Sequence, residues 1–302
     1  MKKNLFLIAL FALLISACNK QIDNIQPIAL TNDLKTSLLS SSSIRLDTIK
    51  QCTLNQGANP YYYITAFTYV GKLLQSSNSN NLQKIPGPGG VPLYYGTSVR
   101  TYFYYYNNND QLTNTFISPI HDGPVAPEQL ESSKVTYADG HIATIEFFRQ
   151  HGISCKKFFL TYSKDQLTEI YEPNTVKINY EYDAKGNNTK EIYQLFINGA
   201  PIQNAVITEI STFDDKANFQ KALPLWVYFK CYDLANIGKP DIGLDFTVLQ
   251  KGFTNTPGAN NPLTLSTNGT QSAFTYKYYD NNYPFEINDS QYIWHYSYTT
   301  VQ

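Results

Sequence analysis

Few residues in this chain are of a type and spacing that could do chemistry. There are four histidines: His121, His141, His151 and His295. His151 stands four residues before Cys155 across His151-Gly152-Ile153-Ser154-Cys155, so a thiol and a base could pair there. Nucleophilic catalysis also needs a third group to orient the base, and none is nearby. A tight turn with His151 at its tip is the simpler expectation. The chain has no Gly-x-Ser-x-Gly elbow, no His-Glu-x-x-His and no Gly-x-x-x-x-Gly-Lys. Pro86 to Gly90 is glycine-rich but lacks the lysine and following helix of a phosphate loop. Acidic stretches such as Asp183 to Asn188 lack the alternating oxygen ligands and closing Glu of a calcium loop, so Asx turns are expected. No Cys/His cluster of zinc type occurs. The expectation is no metal, no cofactor and no catalytic residue, with the balance leaning against an enzyme. One enzymatic alternative stays open: a carbohydrate-active hydrolase needs only two carboxylates about 5–10 Å apart. Asp241 to Asp245 is where such a pair could sit.

Aromatic residues are the abundant raw material. Tyr occurs 25 times and Phe 17 times, against a single Met. Tyr61-Tyr62-Tyr63, Tyr94-Tyr95 and the run Tyr102 to Tyr106 put rings on both faces of any strand, because neighbouring residues point oppositely. An exposed Tyr offers a flat apolar ring and a hydroxyl, which suits a sugar or a peptide. Tyr61, Tyr63, Tyr94, Tyr102 and Tyr104 are the candidate ligand-binding positions. Cross-strand packing within the sheet would use the same residues without any ligand.

Cys18 is the residue with the clearest chemistry. Lys2 and Lys3 precede an apolar run from Leu5 to Ile15, too short for a membrane span of about 20 residues. The run ends in Ile15-Ser16-Ala17-Cys18, which looks like a bacterial lipobox. There the Cys thiol takes a diacylglycerol, and cleavage makes it the new N-terminus. Residues 1–17 are thus expected to be a signal peptide. Residues 18–43, ending in four serines, read as the lipidated Cys and a flexible tether. Two or three acyl chains hold a protein stably, at about 0.8 kcal/mol per buried CH₂. Cleavage takes the basic count from 23 to 21 against 24 acids, a formal charge of −3. That balance leaves no polybasic membrane patch and argues against a nucleic-acid partner. Asn19 and Lys20 follow the Cys where an Asp would signal inner-membrane retention, so the outer membrane is expected, on its periplasmic or surface side. Cys52, Cys155 and Cys231 remain, an odd number, so at least one is unpaired within the chain.

The elements that would position these residues read as strands. Charged residues are 16% of the chain, below the roughly 25% of an average globular protein, and Tyr and Phe suit pleated sheets. Ile44–Leu54 and Tyr61–Val70 alternate as strands, and Ser76–Pro92 reads as a polar loop. After that an aromatic, a tight polar turn and a returning strand recur. The turns follow Tyr106, Tyr137 (Asp139, Gly140), Tyr162, Tyr182 (Asp183, Gly186, Asn187), Phe213 (Asp214, Asp215, Asn218) and Tyr279 (Asp280). Chained hairpins make an antiparallel meander. In Lys177 to Tyr182, Ile178, Tyr180 and Tyr182 share one face, and Lys177, Asn179 and Glu181 the wet one. Ala222–Asn236 breaks the pattern with helical spacing and Gly238 beyond it. The expected fold is all-β: a curved antiparallel β-meander of repeated hairpins, with one short helix packed on the concave face. A single domain over residues 44–302 would hold it.

The pattern Tyr182-Asp183-Ala184-Lys185-Gly186-Asn187, with Phe213-Asp214-Asp215-Lys216-Ala217-Asn218, resembles the YD (Rhs-like) repeat. Over roughly residues 100–300 the chain resembles YD-motif outer-membrane lipoproteins of unknown function. These share the lipobox, the hairpins, a short helical insert and an Asn-Asn-Pro-Leu step, here Asn260 to Leu263. Ala217 departs from the usual Gly, and Asn218-Phe219 from Asn-Pro. The resemblance carries no catalytic residues. The anchor, the tether, the aromatic-rich meander and the missing catalytic motifs point instead to a non-catalytic binding or scaffold lipoprotein at the outer membrane, its partner a glycan, a peptide or an outer-membrane protein. A glycan-binding component of a nutrient-uptake system is the alternative beside the hydrolase.

Overall fold

Period-two alternation decides which side of each strand is dry. In Val176–Tyr182, Val176, Ile178 and Tyr180 are buried, while Lys177 and Asn179 lie half-exposed and Glu181 exposed between them. The same alternation runs through most of the chain. The computed structural model describes residues 43–53, 61–86, 92–118, 130–202, 204–218, 225–235, 258–289 and 292–301.

The strands are β1 Ser43–Thr53, β2 Tyr61–Val70, β3 Leu73–Pro86, β4 Pro92–Tyr106, β5 Leu112–Ile117 and β6 Ser132–Ala138. They continue as β7 His141–Arg149, β8 Ile153–Ser163, β9 Gln166–Glu172, β10 Val176–Tyr182, β11 Asn188–Ile197, β12 Ala200–Pro201 and β13 Val206–Ala217. One helix, α1 Trp226–Ala235, interrupts them. Then come β14 Asn260–Thr267, β15 Thr270–Ala273, β16 Thr275–Tyr278, β17 Pro284–Asn288 and β18 Tyr292–Val301.

Sequential strands pair antiparallel, and β1 pairs with both β2 and β18, so the meander returns on itself as a nearly closed barrel. The seam lies where one extended run is split by Phe274. Its first half, β15, pairs back to β14, and its second half, β16, pairs forward to β17. Tyr276 bridges the seam by donating its hydroxyl to the Pro262 carbonyl at 2.6 Å.

The helix sits inside the sheet's curve. Its ten residues include four aromatics, which are weak helix formers, so packing must hold it. Helical spacing suggests one apolar stripe, but Val227 to Ala235 are all buried, including Lys230 and Asp233. The sheet surrounds them. Tyr102 packs edge-on to Tyr232 at 5.3 Å, Tyr104 to Tyr228 at 6.0 Å, and Phe67 to Phe229 at 6.2 Å. Tyr228 also shares a hydrogen bond with Thr115 at 2.7 Å. These partners lie on β2, β4 and β5, and the helix and the strands form one connected core.

Two expectations need correction. Ser76–Pro92 is not a loop through its first part: residues 76–86 belong to β3, laddered to β2 and β4 on either side. Its Ser/Asn run has no apolar alternation, so the neighbouring strands impose the extended form against local preference. Phe213 to Asn218 is not a hairpin turn either. β13 continues to Ala217, and Asp214 to Lys216 bulge out between the pairs Phe213–Pro262 and Ala217–Asn260.

Candidate functional site

Six hairpins turn at one rim of the barrel, and each carries its repeat tyrosine at a β-bulge. The register shifts fall immediately before Tyr69, Tyr106, Tyr137, Tyr162, Tyr182 and Tyr278. A bulge adds local twist and bend, which is what curls a sheet toward closure. Several of these tyrosines donate to a carbonyl of a neighbouring strand. Tyr69 reaches Leu46 O at 2.9 Å, Tyr106 Leu74 O at 2.8 Å and Tyr182 Leu167 O at 2.6 Å. Burial pushes these phenols well above their ordinary pKa, so they stay neutral donors. Tyr69 with Gly71 is a copy of the repeat that spacing alone did not single out. In the last copy the repeat tyrosine is Tyr278, not Tyr279. Tyr279 N donates to Tyr283 O as Asp183 N does to Asn187 O, so Asp280 is the second residue of its turn.

The turn residues replace backbone partners. Asp139 and Gly140 both have positive φ, 51° and 82°, the pairing a two-residue hairpin needs. Asp183 Oδ1 accepts from Lys185 N at 2.8 Å and Asn187 N at 2.9 Å, and Oδ2 accepts from Asn187 Nδ2 at 3.0 Å. Gly186 takes φ of 84° in that turn. Asn187 Oδ1 then accepts from Asn260 N at 3.0 Å. Asp214 Oδ1 accepts from Lys216 N at 3.0 Å and Asn261 N at 3.1 Å, and Oδ2 accepts from Asn261 Nδ2 and from the Tyr278 hydroxyl. Asn218 Nδ2 donates to Asn260 O at 3.4 Å, and Asp215 is exposed beside its ion pair with Lys216. These turns thus converge on Asn260-Asn261, where the segment carrying α1 rejoins the sheet. The arrangement is a staple, with every carboxylate oxygen of Asp183 and Asp214 occupied by the protein's own donors.

Asp183 gives a pH signature. Burial pulls its pKa up, but the hydrogen bonds from Asn187 and Lys185 outweigh that and hold it below the usual carboxylate value. A depressed folded pKa stabilises fully above the unfolded value, about 3.9. The contribution disappears as pH falls through the lower folded pKa. The stability gap between wild type and Asp183→Asn, measured by urea melts, is expected to be constant above about pH 5 and to shrink below about pH 4.

The remaining candidates are dispersed. Tyr102 and Tyr104 face inward, 0% and 5% exposed, and their rings pack on α1. Tyr104 also shares a hydrogen bond with Ser77 at 2.7 Å. The ladder pairs Tyr61 with Gln83, Tyr63 with Asn81, and Tyr94 with Lys84. Their side chains lie outside the described residues, as do the signal segment, Cys18, the tether, His121, and Asp241 to Asp245. His151 and Gly152 form the expected turn, with φ of 63° and 70°. Cys155 donates to the Phe147 carbonyl, at 3.2 Å. Cys231 is a buried free thiol. His141 Nε2 lies 3.0 Å from Asp165 Oδ1, and its ring stacks on Tyr162 at 4.6 Å. Among the described residues no three His, Cys, Asp or Glu side chains converge as a metal site.

The outer face is where the barrel meets its surroundings, and it is charged. Lys134, Glu146 and Lys157 form one cross-strand row on β6, β7 and β8. Lys177 pairs with Glu169 at 2.8 Å, and Lys190 with Glu209 at 3.9 Å. A neighbouring row is free of charge over seven strands: Thr68, Ser76, Phe103, Phe116, Ser132, Phe148 and Ser154. Phe103 and Phe116 stand opposite one another, 38% and 44% exposed. Among the described residues of β4 and β5 they are the most exposed rings, with Tyr105 half-exposed on the same face of β4. Parity along the strand would have found Phe103 had the inward face been known.

No family model and no curated protein matches the chain. A solved porin-like protein from Bacteroides uniformis is similar at a TM-score of 0.52 and 12% identity, over 84% of this chain and 96% of that one. A porin-like protein from Bacteroides vulgatus matches at a TM-score of 0.31 and 12% identity, over 85% and 99%. At that identity the first likeness is one of fold, so what this chain shares with the Bacteroides uniformis protein is a large antiparallel β-barrel.

Proposed function

We propose that this chain is a non-catalytic binding or scaffold protein of the cell envelope: a water-exposed barrel held at the outer membrane by lipid on Cys18. The observation that carries this reading is the barrel's polarity. A membrane-spanning barrel is apolar outside, and a lysine at mid-bilayer on that face costs about 2–4 kcal/mol. Here lysines and glutamates occupy the outer face, and the interior holds an apolar core with α1 at its centre. The Bacteroides uniformis protein is described as porin-like, but a pore needs an open polar lumen, and this interior is filled. The tyrosine bulges support reading the hairpins as YD-type repeats put to use as curvature.

The tether would join the barrel at Ser43, on the rim of the tight turns. A 25-residue flexible chain has a root-mean-square span of about 25–30 Å. A tether of that span would let the barrel stand clear of the lipid headgroups. Cys18→Ala is expected to abolish labelling by radioactive palmitate and to move the protein from the membrane pellet to the soluble envelope fraction. Purified wild-type protein is expected to give no stepwise conductance in planar bilayers. Stepwise conductance, or a variant that needs detergent for extraction, would sink the proposal.

The Phe103–Phe116 row favours a binding role over a purely structural one. Small hydroxyl residues flank exposed rings there, a surface suited to the C–H faces and hydroxyls of a glycan. Combining Phe103→Ala with Phe116→Ala is expected to abolish glycan-array signal while changing stability by no more than about 0.5 kcal/mol per site. Retained signal would remove the row from the binding reading. Tyr102→Ala or Tyr104→Ala cannot make the same test, because either would open the core.

A further inference from the structure

Inside the barrel, the Tyr180 hydroxyl has no hydrogen-bond partner among the described residues. Tyr180 lies in the middle of β10, 4% exposed, and its hydroxyl makes no hydrogen bond. Its cross-strand partner is Glu191 on β11. Glu191 Oε1 stands 3.6 Å from Lys230 Nζ of α1, close enough for an ion pair but too far for a good hydrogen bond. Two residues along β10, Tyr182 opposes Asn188. Asn188 is fully buried, and neither its Oδ1 nor its Nδ2 has a partner of normal geometry, although the amide lies beside the Tyr182 hydroxyl. The Tyr182 hydroxyl itself is committed to Leu167 O.

Native interiors leave few such groups unpaired, because each one keeps its full desolvation penalty. Tyr180 and Asn188 belong to one short stretch of two paired strands, together with the Lys230 ammonium, whose three N–H donors have Glu191 as a distant acceptor. Lys230 and Glu191 cancel in charge, so the environment suits a neutral guest. Tyr162 and Cys231 lie nearby. Burial pushes the Cys231 thiol far up, so it adds no charge.

We propose that Tyr180, Asn188, Glu191 and Lys230 form an internal binding site for a small neutral molecule that both donates and accepts hydrogen bonds. Water fits that description, and so does a polar solute of similar size. A buried water needs two to four polar partners, and these four residues supply more than that. The site would couple the helix to β10 and β11 through the guest, where protein atoms alone make only a loose ion pair.

Tyr180→Phe tests this with a sign. Deleting a hydroxyl that bonds to nothing removes a buried unpaired group, so Tm would stay constant or rise. Deleting one that holds a guest strands the guest's other partners, so Tm is expected to fall by several degrees. Oxygen-17 relaxation dispersion counts long-lived internal waters and is expected to show at least one fewer in Tyr180→Phe. If the guest is a solute, native mass spectrometry of the protein as purified shows extra mass that the variant lacks. An unchanged or raised Tm overturns the proposal. So does a lowered Tm with neither the water count nor the mass altered.

Discussion

Asp214→Ala is expected to lower the unfolding free energy by about 3–4 kcal/mol, read as a shift of the urea midpoint at constant slope. The carboxylate takes Lys216 N, Asn261 N, Asn261 Nδ2 and the Tyr278 hydroxyl. A hydrogen bond to a charged group contributes about 1.5–3 kcal/mol, but four donors to one carboxylate do not add fully, and the site is partly exposed. The loss falls where it matters. Asp214 lies in the β13 bulge, Asn261 opens β14, and Tyr278 ends β16, so one side chain ties three strands beside the seam. Asp214→Asn keeps the Oδ1 acceptor and places an NH₂ against donors, so about half the loss is expected. The adjacent Asp215→Ala is the control. Asp215 is 86% exposed with one surface ion pair, so a change within about 0.5 kcal/mol is expected. Equal effects at the two positions would show that the bulge, rather than the staple, sets stability.

Phe147→Ala is expected to cost about 3–5 kcal/mol, the range for truncating a fully buried aromatic. Phe147 is 0% exposed on β7. Its ring lies 6.0 Å from Phe158, 5.8 Å from Tyr228 and 5.8 Å from Tyr232. It is therefore the point at which two strands and two turns of α1 meet. The cavity left cannot collapse easily, because the sheet is pinned on both sides by ladder pairs and the helix is walled in. Thermal unfolding checks the cost. Near-ultraviolet circular dichroism checks the location, since the aromatic signal should weaken before the strand signal does. A loss below about 1 kcal/mol would mean that α1 contributes little to the fold.

Much of the fold was legible because strands announce themselves locally. Alternation in Lys177 to Tyr182 assigned its wet and dry faces, and Asp139-Gly140 and Asn198-Gly199 named their turns. The helix was visible at 222–236 and formed over 226–235, but its all-round burial was not, since that depends on what surrounds it. Residues 76–86 were illegible for the opposite reason. Their Ser/Asn run has no preference of its own, and two neighbouring strands make it β3. The candidate ring surface shifted by one position. Tyr102 and Tyr104 looked like ligand contacts because alternation says which residues share a face, not which face is out.

The sequence by itself determined an antiparallel meander of tyrosine-marked hairpins, because turn chemistry and period-two patterning act over a few residues. Only the tertiary structure decided that β1 meets β18, that the apolar face turns inward around α1, and that Asp183, Asp214 and Asn260-Asn261 belong to one staple. Those contacts join residues tens to hundreds of positions apart. They follow from bulges adding up around the sheet, a sum that no single hairpin contains.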